Sequence, residues 1–155
     1  MISNSLSKSV VSLMLLVSTG PQAGSITLSL AKPATDKPSA IVVSISIQND
    51  SPKPLSLTKR GALLDFSIRL TNVTNGLAVP LTEEGHDLRY GTPGGFRIMS
   101  AQGFDLPPGR AITAVLELSR YFQIKPKGKY RLQVIRDLGS PPSKVASNVL
   151  VIEPD

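Results

Sequence analysis

From Ile26 onward the sequence alternates apolar and polar residues with a period of two. Ile26, Leu28 and Leu30 are separated by Thr27 and Ser29; Ile41, Val43, Ile45 and Ile47 by Val42, Ser44 and Ser46; Phe66, Ile68 and Leu70 by Ser67 and Arg69. The pattern returns at Ile112, Ala114, Leu116 and Leu118, at Tyr130, Leu132 and Val134, and at Ser147, Val149 and Val151. Successive side chains of a strand point to opposite faces, so each run forms a ribbon with one apolar and one polar side. Ribbons buried on one side only belong in antiparallel sheets. A helical period of 3.6 finds no comparable stretch, and Leu118–Ile124 has room for one short turn at most.

The connectors carry turn chemistry. They are Lys32–Pro38, Asp50–Gly61, Thr82–Gly95, Gly103–Arg110 and Gly139–Ser143, and they hold many of the 13 prolines and 12 glycines. Leu77–Leu81 and Phe96–Ser100 read as edge strands, since Pro80 cannot donate to a ladder. Asn75-Gly76 is the dipeptide of a two-residue type I′ hairpin. This spacing predicts an all-β chain of about seven or eight antiparallel strands folded as a sandwich or small barrel.

Residues 1–25 follow another logic. Lys8 is their one charge, Val10–Val17 is an apolar run too short for the roughly 20 residues of a membrane span, and Ala23-Gly24-Ser25 offers a small-x-small exit. The expectation is a signal peptide over 1–25, one domain over 26–155, and a secreted or periplasmic protein. No transmembrane segment is expected in the mature chain. The chain carries 17 Lys and Arg against 11 Asp and Glu. Removal of residues 1–25 takes away only Lys8, leaving a net charge of +5. Such a charge favours anionic surfaces, and export makes nucleic acid an improbable partner.

Composition removes much chemistry. With no cysteine, disulfides, thiolate metal sites and Cys nucleophiles are excluded. His86 is the one histidine, so relays or metal sites built on several imidazoles are excluded. There is no GxSxG and no phosphate-binding glycine loop. The expectation is a non-enzymatic protein without a cofactor.

Leu106-Pro107-Pro108-Gly109, Leu116–Phe122 and Lys127-Gly128-Lys129-Tyr130-Arg131-Leu132-Gln133-Val134 together form a further signature. The spacing of Gly128, Tyr130, Leu132 and Val134 resembles the tyrosine corner of immunoglobulin and fibronectin type III domains. There the tyrosine hydroxyl bonds a backbone group a few residues upstream. Residues 106–154 also look like exported bacterial immunoglobulin-like modules, and they are similar to the β-sandwich pro-segment of deuterolysin-type zinc proteases. The resemblance implies an immunoglobulin-like β-sandwich in which Tyr130 and Gly128 are structural residues. The protease's HExxH does not occur, nor do the immunoglobulin cysteine pair and core tryptophan.

Three surface clusters are candidate sites. Glu83, Glu84, His86 and Asp87 are possible metal ligands, although adjacent acids on an extended segment point apart. Arg89, Tyr90, Phe96 and Arg97 flank a glycine-rich stretch and suit ligand binding: the rings stack, and the guanidiniums grip carboxylates or phosphates. Arg120, Lys125, Lys127, Lys129, Arg131 and Arg136 bracket the tyrosine motif as a basic patch. Asn49-Asp50-Ser51 and Asn72-Val73-Thr74 match the glycosylation triplet. The functional expectation is a binding or structural accessory module whose partner is another protein or an envelope polymer. Its alternatives are a carbohydrate- or anionic-polymer-binding module and a protease-associated chaperone or inhibitor.

Overall fold

Val43, Ile45 and Ile47, the inward positions of one alternating run, are all buried in a computed structural model that describes residues 26–32, 40–92, 100–139 and 144–154. Their strand, β2 (Val42–Asn49), lies at the centre of an antiparallel sheet between β1 (Ile26–Ala31) and β6 (Ala111–Glu117). Leu28 and Leu30 from β1 and Leu116 from β6 extend the same apolar face. The opposite face is mostly hydroxyl-bearing, with Val115 and Glu117 near the end of β6. It carries Thr27, Ser29, Ser44, Ser46 and Thr113, with the Ser46 and Thr113 hydroxyls 2.8 Å apart.

The second sheet is centred on β7 (Tyr130–Asp137). It pairs antiparallel with β4 (Ser67–Asn72) on one side and with β8 (Lys144–Ala146) and β9 (Leu150–Ile152) on the other. Leu70, Tyr130, Leu132, Val134 and Ile152 join the core of the first sheet. The all-β, antiparallel expectation therefore holds, with nine strands among the described residues.

Three of the strands arise where the sequence read only connectors or a single run. β3 (Leu55–Lys59), inside the Asp50–Gly61 segment, pairs with β5 (Gln102–Leu106), which runs into the Gly103–Arg110 segment. They prolong the β2–β6 ribbon beyond a break held by Asn49. That side chain is fully buried and donates to the carbonyls of Lys53 and Leu106 at 2.9 and 2.8 Å. An amide so enclosed is no glycosylation acceptor in the folded chain. The last run divides into β8 and β9 because the pairing register with β7 slips by one residue: Ile135 faces Ala146, but Leu132 faces Leu150. Such a bulge reverses side-chain parity. Ser147 is buried, yet Val149 and Val151 face outward and Ile152 takes the core position. The expected sharing of one face by Ser147, Val149 and Val151 fails for this reason.

Two turn expectations change as well. β4 and the following chain form a hairpin with a four-residue loop, because Asn72 N–H donates to Leu77 O. Gly76 has a positive φ of 69°, but Asn75 does not, so the turn is not type I′. Asn72 and Asn75 instead accept backbone N–H bonds from Thr74 and Leu77. Leu77–Leu81 makes only isolated bridges, Thr71 with Ala78 and Leu81 with Phe122, rather than a strand.

The flanks close differently. At one, the Asn148 amide accepts from Leu30 N–H at 2.7 Å and donates to Leu30 O at 3.2 Å, joining the bulge to β1. At the other, the short helices α1 (Ala62–Asp65) and α2 (Glu83–Tyr90) bridge the gap, α1 lying against β4 and β6. α3 (Leu118–Tyr121) follows β6 and packs on α2. No helix among the described residues is long and apolar enough to cross a membrane. Residues 1–25, with the signal expected there, lie outside the described residues.

Candidate anion-binding site

The Thr82–Gly95 segment, expected as a loop, contains a capped helix. Thr82 Oγ1 accepts from Gly85 N–H at 3.1 Å and so satisfies an orphan donor of the first turn. Glu83 and Glu84 complement the positive helix start, Arg89 complements the end, and Gly91 terminates it at φ 85°. Gly85 faces α3 so closely that a Cβ there would overlap the Tyr121 carbonyl oxygen. Glu84 on α2 accepts from Arg120 Nε on α3 at 2.6 Å, and this bond holds the Glu84 carboxyl below its ordinary pKa and the Arg120 guanidinium above.

The helix carries the proposed metal ligands on its first turn and a half. Glu83, Glu84 and His86 are exposed, Asp87 is half-buried, and the His86 ring lies 4.9 Å from that of Tyr90. Among the described residues no group of three or more such ligands comes together.

The basic patch also dissolves into separate roles. Arg120 is held by Glu84, and Lys129 Nζ lies 2.6 Å from Glu153 Oε1, which lowers the Glu153 pKa. Arg136 is not on the wet face at all. It shares parity with Tyr130, Leu132 and Val134, and only 6 % of it is exposed. Parity along β7 carried that signal, whereas charge alone assigned Arg136 to the surface.

Arg136 is the most unusual side chain in the fold. Its guanidinium lies over the Phe66 ring at 5.0 Å, and Nη2 donates to Thr58 O at 2.5 Å. Nη1 is 3.6 Å from Asp65 Oδ2, an ion pair beyond hydrogen-bond length. A guanidinium has five N–H donors, so most of its capacity is not used by these partners. Burial lowers its pKa, and the Asp65 charge opposes that shift. Asp65 is itself shared: it accepts from the Arg60 backbone N–H at 3.1 Å and from Arg60 Nε at 3.4 Å. One buried carboxylate thus serves two guanidiniums.

A cleft of about 420 Å³ opens on this group. Arg60, Arg89, Tyr90 and Arg136 line it with Asp65 and Asp137. Arg89 and Tyr90 stand at the end of α2, Arg60 precedes α1, and Arg136 rises from β7. Three arginines from three distant segments therefore line one cleft, together with two acids, Asp65 and Asp137. Tyr90 is 68 % exposed and presents a ring at the rim. Of the residues proposed for ligand binding, Arg89 and Tyr90 belong to this cleft, while Phe96 and Arg97 lie outside the described residues. Arg60 was not singled out by any local pattern.

The tyrosine motif is separate from the cleft. Lys125 N–H donates to Tyr130 Oη at 2.8 Å, and the hydroxyl lies 3.3 Å from Lys125 O. A Cβ on Gly128 would come within 2.5 Å of that hydroxyl, so the ring position requires glycine there. No protein-family model matches the chain, and no curated protein matches it.

Proposed function

We propose that this chain is an exported, non-catalytic binding module of the immunoglobulin-like class, and that its ligand is an anionic polymer of the cell envelope. The class is supported by strand order. β1, β2 and β6 correspond to strands A, B and E of such domains, β4, β7 and β8–β9 to C, F and G, and Tyr130 sits at the head of the F equivalent. The ligand reading rests on the cleft that Arg60, Arg89 and Arg136 line, with Asp65 shared between two of them. Guanidiniums grip carboxylate or phosphate through paired N–H donors, and a buried, incompletely bonded one gains most from an added anion. The Tyr90 ring beside them suits the face of a sugar.

Titration of the ¹⁵N-labelled protein with polygalacturonate, with dextran as the neutral control, tests this. Shifts at Arg89 and Tyr90 with the acidic polymer alone are expected, with at least tenfold weaker binding for Arg89→Gln and loss at high salt. Equal response to dextran, or unchanged binding by Arg89→Gln, would overturn the reading. Export has its own test: protein recovered outside the cytoplasm should begin near Ile26.

A further inference from the structure

A second depression, of about 320 Å³, lies on the other side of Phe66 and Arg136. Ile45, Ile47, Leu57, Phe104, Ile112 and Ala114 line it, and Lys59 and Arg136 stand at its border. Thr113 and Val115 of β6 line it too. The β2–β6 ladder explains why those two matter. Leu118 N–H donates to Ile41 O and Asn49 N–H to Arg110 O, so even-numbered β6 residues direct their backbone groups at β2. In an antiparallel ladder the alternate residues point away. The N–H and C=O of Thr113 and Val115 therefore face outward; β6 has no second strand neighbour among the described residues, and α1 borders the depression through Ala62 and Asp65. The segment Ala111–Leu116 holds no charge and no proline, the usual means of blunting an edge.

We propose that the outer edge of β6 is a strand-addition site for an extended peptide of a partner protein, apolar at alternate positions and carrying one carboxylate. A peptide satisfies the outward donors and acceptors of Thr113 and Val115. An aliphatic chain would bury them unpaired, at a cost. Alternate side chains of the added strand enter the apolar depression. The carboxylate is required by charge: Lys59 and Arg136 border the depression, and its single acid, Asp65, is already engaged with Arg60 and Arg136. This inference shares Arg136 and Asp65 with the polymer reading but rests on the β6 edge, whereas that reading concerns the cleft on the Arg89 side.

The test uses the full chain and the capped heptapeptide Thr-Val-Thr-Val-Thr-Glu-Thr, whose Glu shares a strand face with both Val residues. Binding is read by calorimetry and by hydrogen exchange. The expected result is at least tenfold slower exchange of the Thr113 and Val115 amides. N-methylation of the peptide's alternate, ladder-facing amides should weaken binding at least tenfold, and Glu→Lys in the peptide several-fold. Val115→Pro removes an outward N–H without touching the β2 ladder; it should abolish peptide binding and leave polygalacturonate binding intact. The proposal is overturned by absence of binding, by binding indifferent to N-methylation, by protection elsewhere, or by a dimer of the chain whose disruption frees the edge. The N-methylated peptides decide the matter even if Val115→Pro fails to fold.

Discussion

The two flanks of the molecule solve one problem in different ways. At the β1 flank a single side chain, Asn148, imitates a strand: its amide exchanges two hydrogen bonds with Leu30 and draws the sheets together. At the β6 flank no such ladder spans the gap among the described residues, and α1 and α2 cover it. A hydrogen-bonded seam leaves no space. Short helices laid across a gap pack only through chosen side chains, and both depressions, with the buried Arg136, occur there. The depressions follow the flank whose backbone is not zipped.

If the helical flank is held by a few specific contacts, removing them should cost more than unpicking the seam. The largest effect is expected for Asp65→Ala. It leaves Arg136 as a buried cation without the carboxylate that faces it. Breaking one side of a buried pair costs about 3–5 kcal/mol. Urea melts should show this loss, and Asp65→Asn should recover part of it. Gly85→Ala comes next, at about 3 kcal/mol, near the upper end for overpacking, because the obstacle is the backbone of Tyr121 and not a movable side chain. An unchanged melt for Gly85→Ala would mean that α2 is not docked on α3.

The seam should respond less. Asn148→Ala leaves the Leu30 N–H and C=O without these partly buried bonds, a cost of about 1–2 kcal/mol. Hydrogen exchange sharpens the comparison: the Leu30 amide should lose protection while amides of α2 keep theirs. If Asn148→Ala proves costlier than both helical-flank variants, the contrast between the flanks is wrong.

What could be read from the residues depended on whether the cause was local. The runs at β2, β4 and β7 declare themselves because every second residue enters the core, and Tyr130 is legible for the same reason. The parity of Arg136 was equally visible, but a charge overrode the pattern. α2 escaped notice because its apolar stripe is weak. Its signals were the terminal residues, Thr82, Glu83, Glu84, Arg89 and Gly91, which decide a helix of eight residues more than periodicity does. The reversal at Ser147–Val149 had no local mark, since a bulge is fixed by where two strands are joined. The cleft was least legible. Arg60 and Arg136 are 76 positions apart, and only the packing of α1 on the sheet makes them neighbours of one carboxylate.

The smallest expected effect separates electrostatics from packing on the helical flank. Glu84 and Arg120 join α2 to α3, but both side chains are about half exposed. Pairs of this kind are screened by water and salt and contribute little. The sign of the pH dependence is nonetheless defined. The Arg120 bond lowers the Glu84 pKa in the folded chain, so the pair's contribution is complete above the ordinary carboxylate pKa. It fades as pH falls through the lowered value, where the folded chain also protonates. Wild type should therefore exceed Glu84→Gln slightly in urea midpoint at pH 7. The difference should narrow as pH falls below the ordinary Glu range, and also at about 1 M salt, where the Debye length is near 3 Å. A large difference that survives salt would show that Glu84 acts through packing. The distinction between one flank sealed by backbone-like bonds and another held by buried contacts would then need a third component.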